Sequence, residues 1–333
     1  MNFDFTDDQR AIKETARDLL AKRFKLERLR ELAESKTYAD DAWNEVSELG
    51  WPGIFIAEEH GGQGLGVIEL VILLEELGYV LAPLPFLSNA AAGLILQDAG
   101  ATDRLAGVAS GEQRGTVGVV KDGRAALVPD AEDADFIVLL DGTEATLVER
   151  GDAEVEAIDA IDPTRRYAAV TANGGESLGD VSRGRDLIAL ATAAELVGIS
   201  QRVMEMAIEY AKDRKQFDRP IGAYQAVSHA CADMLKQVEG SRSLVYYAGW
   251  AADAAPDEFS LAASMAKAYA SDAGWQVSAS ALQVHGGIGF TWEHDLHWFL
   301  KRAKTDGVLY GSARDHRERV AELAGLGAAT AAV

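Results

Sequence analysis

The sequence predicts a mainly helical α+β chain, with a small antiparallel β domain set between an N-terminal helical domain and a C-terminal four-helix bundle. Three observations predict it. Apolar residues recur at helical spacing up to about Gly107 and again from Arg183. Between Gly115 and about Gly179 the chain turns to short β-branched runs, with Asp122-Gly123 and Asp141-Gly142 where hairpins would turn. The C-terminal helical patterns are long and joined by short loops, which favours antiparallel neighbours. The expected domains are 1–110, 111–182 and 183–333.

Thr6-Asp7-Asp8-Gln9 fits a capping box, with Phe5 as a staple, ahead of Ile12, Ala16, Leu19 and Leu20 at helical spacing. A helix near Asp41–Leu49 ends at Gly50, and Glu58-Glu59-His60-Gly61-Gly62-Gln63-Gly64 reads as a loop. Val67–Leu77 and Asn89–Gln97 read as buried helices separated by Pro83 and Pro85. Roughly six strands are expected in the β domain. From Arg183, the stripe Leu187, Leu190, Ala191, Ala194, Val197 marks a helix to about Lys212. Further helices are expected over Gln225–Ala252, Ser260–Leu282, Trp292–Thr305 and Ala313–Ala324, with a frayed alanine tail.

The formal charge of −21 argues against nucleic acid and against an anionic membrane surface, because both need clustered cations. A single cysteine, Cys231, excludes a disulfide framework and is expected as a small buried apolar group. The polar, acidic start MNFDFTDDQR is unlike a signal peptide, and no apolar run of about 18 residues is read anywhere in the sequence, so the expected location is cytoplasmic.

Two stretches carry chemistry. Gly286, Gly287 and Gly289 halt a long helix just after Gln283, allowing a close backbone approach to something bulky. Arg214-Lys215-Gln216-Phe217-Asp218-Arg219-Pro220-Ile221 lies where the first bundle helix ends. Arg214 there can serve the helix dipole, or its planar fork can meet a pyrophosphate; Phe217 is a core residue or an edge for a flat ring. His294 and His297 have a spacing that can bind zinc, but no third ligand is indicated and no metal is expected. No strand precedes the glycines, so a dinucleotide-fold loop fails its context. Tyr246, Tyr247 and Trp250 read as packing.

Together, RKQFDRPI followed by Gln225-Ala226, then His229, Ala232, Asp233 and Met234, then QVHGGIGFTWEHDLH, resemble the C-terminal signature of acyl-CoA dehydrogenases. The FTDDQ opening, Leu49-Gly50-Trp51 and Glu59–Gly64 agree, so the resemblance spans essentially the whole chain. It implies FAD, an acyl-CoA substrate and α,β-dehydrogenation, in which a glutamate takes the α-proton and the flavin the β-hydride. It also implies an FAD at a subunit interface. One subunit lends the arginine, phenylalanine and glutamine–glycine loop to its neighbour's diphosphate and adenosine. Here those elements match at Arg214, Phe217, Gln283 and Gly287, with Gln216, Tyr224 and Gly286 beside them.

The departures are specific. The family's usual base position is Tyr310, and a phenol of ordinary pKa near ~10 is a poor base at neutral pH. Asp186 and Glu195 are the weak alternatives. Asp186 reads as a first-turn acid favoured by the helix dipole, and Glu195 as a solvated residue at the edge of the apolar stripe. A T-E-P-x-x-G-S-D type segment is missing, because the chain passes from Ser110–Val120 directly to Lys121-Asp122-Gly123. The sequence therefore resembles the short subunits of heteromeric (α2β2) actinobacterial acyl-CoA dehydrogenases, which pair with a longer homologous subunit. A self-sufficient homo-oligomer with a displaced carboxylate base, or a non-catalytic acyl-CoA- or partner-binding scaffold, are the alternatives.

Overall fold

A computed structural model describes residues 4–326; the expected fraying of the alanine tail falls outside the described residues. Helix α1 (Asp7–Arg23) opens on the expected capping box: the Thr6 hydroxyl accepts from the Gln9 N–H at 3.2 Å, and the Gln9 side chain accepts from the Thr6 N–H at 3.0 Å. Phe5 packs on the ring of Tyr246 at 4.8 Å. Short α2 (Leu26–Ser35) and α3 (Asp40–Glu48) follow, then α4 (Val67–Val80), α5 (Phe86–Asp98) and α6 (Leu105–Ser110). Helices α4 and α5 are buried on nearly every side, which is why their sequences show apolar runs rather than a stripe.

The middle of the chain forms β1 (Gly115–Lys121), β2 (Arg124–Pro129), β3 (Phe136–Asp141), β4 (Glu144–Glu149), β5 (Ala153–Ile158), β6 (Tyr167–Ala172) and β7 (Glu176–Asp180). They make one sheet in the order β5-β6-β2-β1-β3-β4-β7. This corrects the expected six or so antiparallel strands in two respects. Strand β7 lies in a glycine-flanked stretch without β-branched residues, and β1 runs parallel to β3, because the 130–135 connection carries the chain past β1's far side. Asp122 and Gly123, both at positive φ, join β1 directly to β2, as hairpin chemistry requires. Along β3, Phe136, Val138 and Leu140 face the large helical core, while Ile137 and Leu139 join a smaller core with Val128, Val148 and Val170. The period of two thus ties the sheet to the helices on one face.

The C-terminal part holds α7 (Ser182–Asp213), the two-residue strands β8 (Lys215–Gln216) and β9 (Arg219–Pro220), then α8 (Gln225–Ala254), α9 (Pro256–His285), α10 (Leu296–Asp306) and α11 (Ala313–Leu323). The fourth bundle helix starts at Leu296 rather than Trp292, the intervening residues being turn. Helix α7 is long and apolar enough to cross a membrane by composition, yet 89% of its most apolar window is packed inside the protein. It touches α4 backbone to backbone: a Cβ on Gly78 would lie 2.2 Å from the Glu195 carbonyl, and one on Gly198 1.9 Å from that of Glu75. Only glycine permits that crossing, and it leaves no gap between the two helices there.

Candidate functional site

The end of α7 is capped by Arg214, whose N–H donates to the Tyr210 carbonyl at 2.8 Å. Strands β8 and β9 then form a hairpin whose two turn residues, Phe217 and Asp218, both sit at positive φ (52° and 61°). Asn-Gly would suit such a turn; phenylalanine in a left-handed conformation costs roughly 1 kcal/mol. The turn holds the Phe217 ring out of the protein, 88% exposed. This overturns the core option for that residue. Arg214, Gln216 and Gln283 are exposed, and their side chains make no hydrogen bond or ion pair among the described residues.

The helix α9 ends at His285, and Gly286 takes φ 62°, ψ −140°, a conformation that favours glycine. The glycines have two separate jobs. A Cβ on Gly286 or Gly287 would meet nothing within 4 Å, so this side is open to a ligand; a Cβ on Gly289 would press on that of His285 at 2.9 Å. The two motifs meet through a contact that spacing alone does not reveal: the Tyr210 ring stacks on His285 at 4.6 Å. One bundle end therefore presents a guanidinium, two amides, an exposed phenyl ring and an open glycine backbone. That donor set fits a diphosphate carrying a flat ring system, as FAD does.

The second place lies beneath the sheet. Glu195, expected at a solvated edge, is only 3% exposed. Both its oxygens accept from Arg165 Nη2 at 2.8 Å, and Oε1 also accepts from Arg302 Nη1 at 2.7 Å. Arg302 Nε reaches Asp162 at 2.5 Å, its Nη2 reaches Thr164 at 2.6 Å, and Arg165 Nη1 reaches Asp306 at 2.9 Å. Lys267, wholly buried, donates to the Asp306 carbonyl at 2.5 Å and to Ser271 at 3.2 Å. Burial alone would raise the Glu195 pKa, but the two guanidiniums outweigh it and hold it below the ordinary carboxylate range. Burial raises Asp306 and lowers Lys267. The cluster ties α7, α9 and α10 to the β5–β6 connection, so Glu195 is a structural anion.

Asp186 is also buried. It is held by Arg319 of α11, with Oδ2 accepting at 2.9 Å, rather than by the helix dipole, and burial raises its pKa. Tyr310 sits at φ 57° with its hydroxyl donating to the Val117 carbonyl at 3.4 Å; burial pushes its pKa far up, so the phenol keeps its proton. Glu195 and Tyr310 present no free basic oxygen, and both Asp186 oxygens lie against the Arg319 guanidinium, Oδ2 hydrogen-bonded to it and Oδ1 within ion-pair reach. His294 and His297 are drawn into ring contacts, His294 against His285 at 4.4 Å and His297 between Trp292 and Trp298. Cys231 is half-buried, lining an apolar groove of about 490 Å³ between α7 and α8 with Ile208 and Leu235, rather than sitting in the core.

Comparison with known proteins places this arrangement. Residues 6–106 match the acyl-CoA dehydrogenase N-terminal domain and residues 181–324 the C-terminal domain. The acyl-CoA dehydrogenase IpdE2 of Mycolicibacterium smegmatis is 33% identical over 95% of this chain and 98% of its own length. FadE34 of Mycobacterium tuberculosis is 33% identical over 82% of this chain but only 41% of its own. Among solved structures, a variant of the Tcur3481–Tcur3483 steroid ACAD superposes with TM-score 0.88 at 27% identity, covering 97% of this chain and 99% of that one. The ChsE4–ChsE5 complex of Mycobacterium tuberculosis shares the fold, with TM-score 0.87 at 24% identity over 97% of this chain and 98% of that one. This chain belongs to the acyl-CoA dehydrogenase family.

Proposed function

We propose that this chain is the base-lacking subunit of a heteromeric, FAD-dependent acyl-CoA dehydrogenase. It lends Arg214, Gln216, Phe217, Gln283, Gly286 and Gly287 to the nucleotide half of an FAD whose ring is seated on a longer partner. When bound, the flavin supplies the acceptor for the β-hydride of the acyl thioester. This chain's own part is to bind and orient: Arg214 carries charge to the diphosphate, Phe217 offers a face to a flat ring, and the open glycines admit the phosphates. The observation that carries the proposal is the state of the carboxylates. Glu195 is saturated by two guanidiniums and Asp186 is paired, while Tyr310 occupies the usual base position. Support for a partner comes from relatives. The Tcur3481–Tcur3483 and ChsE4–ChsE5 assemblies are each named for two proteins, and more than half of FadE34 lies outside its match to this chain.

The first of these is called a steroid ACAD, which makes a steroid-derived acyl-CoA the thioester to try first. The test is turnover by the complex purified with its longer partner. Tyr310→Phe and Asp186→Asn are expected to keep kcat within about threefold, whereas removing a true base lowers it by about 10²–10⁴-fold. A hundredfold loss in either variant would place the base in this chain.

A further inference from the structure

The Tyr210–His285 contact joins two motifs that lie 69 to 73 positions apart in the chain (Arg214 to Gln283 and to Gly287), and it is not alone. His285 Nδ1 lies 2.7 Å from the Ala281 carbonyl; a carbonyl only accepts, so the ring proton sits on Nδ1 and fixes the imidazole plane. The edge of His294 meets that imidazole at 4.4 Å and 63°. His294 Nδ1 in turn accepts the Leu296 N–H at 3.2 Å, which puts its own proton on Nε2. Three rings from three segments thus stand in a row: the last turn of α7, the last turn of α9 and the turn leading into α10. The first two are bonded or adjacent to a group proposed to face the nucleotide. The Tyr210 carbonyl accepts the Arg214 N–H, and His285 lies between Gln283 and Gly286. Gly289 has no Cβ that would collide with His285, which lets the corner fold over the imidazole.

We propose that the Tyr210–His285–His294 stack is a positioning device: it sets the spacing between the Arg214–Phe217 hairpin and the Gln283–Gly287 corner so that both reach one dinucleotide. The inference rests on the proposed role of those residues in holding FAD. Among the described residues no other ring contact links the hairpin to the corner: the Tyr224 hydroxyl on the Gln216 carbonyl at 3.2 Å and Arg219 over the Tyr224 ring tie it to the start of α8, and the Arg214 N–H ties it to the end of α7. Without the stack the two halves of the cradle would move independently, and a ligand would meet the cost of ordering them on binding. The Tyr210 hydroxyl makes no hydrogen bond among the described residues, so the ring face is what matters and phenylalanine should replace it.

The experiment measures FAD affinity, by flavin fluorescence, in the complex with the partner after the flavin has been stripped and titrated back. Tyr210→Leu is expected to raise the FAD Kd about tenfold and Tyr210→Phe less than twofold. At saturating FAD, kcat and the KM for acyl-CoA stay at wild-type values in both. His285→Leu should reproduce the Tyr210→Leu effect. An assembled Tyr210→Leu complex with wild-type FAD Kd would overturn the inference, and so would loss of assembly, which would assign the ring to general packing. Arg214→Ala separates the two levels. If it weakens FAD while Tyr210→Leu does not, only the positioning role fails; if Arg214→Ala and Tyr210→Leu both leave FAD binding untouched, the proposed function falls with it.

Discussion

At the end of the bundle Arg214, Gln216 and Gln283 reach into solvent with no partner among the described residues, and a phenyl ring is held outward on a strained turn. Beneath the sheet the reverse holds: Glu195, Asp162 and Asp306 are buried and each meets a guanidinium. Exposed polar groups are ordinary by themselves, since water satisfies them. Phe217 is not ordinary, because its turn costs the chain stability and hides no apolar surface within it. Groups that serve the chain's own fold are thus set apart from groups that the fold leaves unengaged. Glu195 and Asp186, the candidate bases, fall on the first side, buried and paired with arginines.

Breaking the buried side should have the largest effect. Arg302→Met would leave Asp162 and Glu195 short of a counter-charge in the interior, and we expect a loss of about 3–5 kcal/mol in denaturant unfolding. A loss below 1 kcal/mol would mean that solvent reaches the cluster. Next comes a titration. Burial depresses the His316 imidazole to about 4, with its Nε2–H donating to the Tyr310 carbonyl at 3.1 Å. Between pH 6.5 and 4 the unfolded chain takes up this proton before the folded one, so stability falls as pH falls through that window. The wild type should lose roughly 1.5 kcal/mol more than His316→Gln between pH 6.5 and 5. The raised carboxyl of Asp306 works in the opposite sense over the same range, but it is common to both proteins and cancels. Parallel pH profiles would contradict the assignment. The exposed side should show the smallest change: Phe217→Ala should alter the unfolding free energy of the isolated chain by no more than about 0.5 kcal/mol, or raise it slightly, while weakening FAD binding in the complex.

What the sequence made legible follows the same division. Arg214–Phe217 and Gln283–Gly287 are contiguous stretches that stand out as motifs, and the halting of α9 by glycine needed only local backbone chemistry. The hairpin at Phe217 was not foreseen, because neither Phe nor Asp at its tip is a usual residue for that turn. Glu195 was misplaced for a different reason. Its partners lie 30 and 107 positions away, and helical periodicity cannot tell a wet stripe edge from a dry one facing two arginines. Asp186 was misjudged likewise, since Arg319 stands 133 positions on. The stack of Tyr210 on His285 belongs to the same class: tertiary contacts leave no mark on local spacing.

The most direct test of the central claim is the FAD content of the protein by visible absorbance, first purified alone and then with its longer partner. The account predicts a colourless, inactive protein alone, and a yellow complex with one FAD for each pair of unlike chains. A yellow homo-oligomer of this chain that oxidises an acyl-CoA unaided would contradict it.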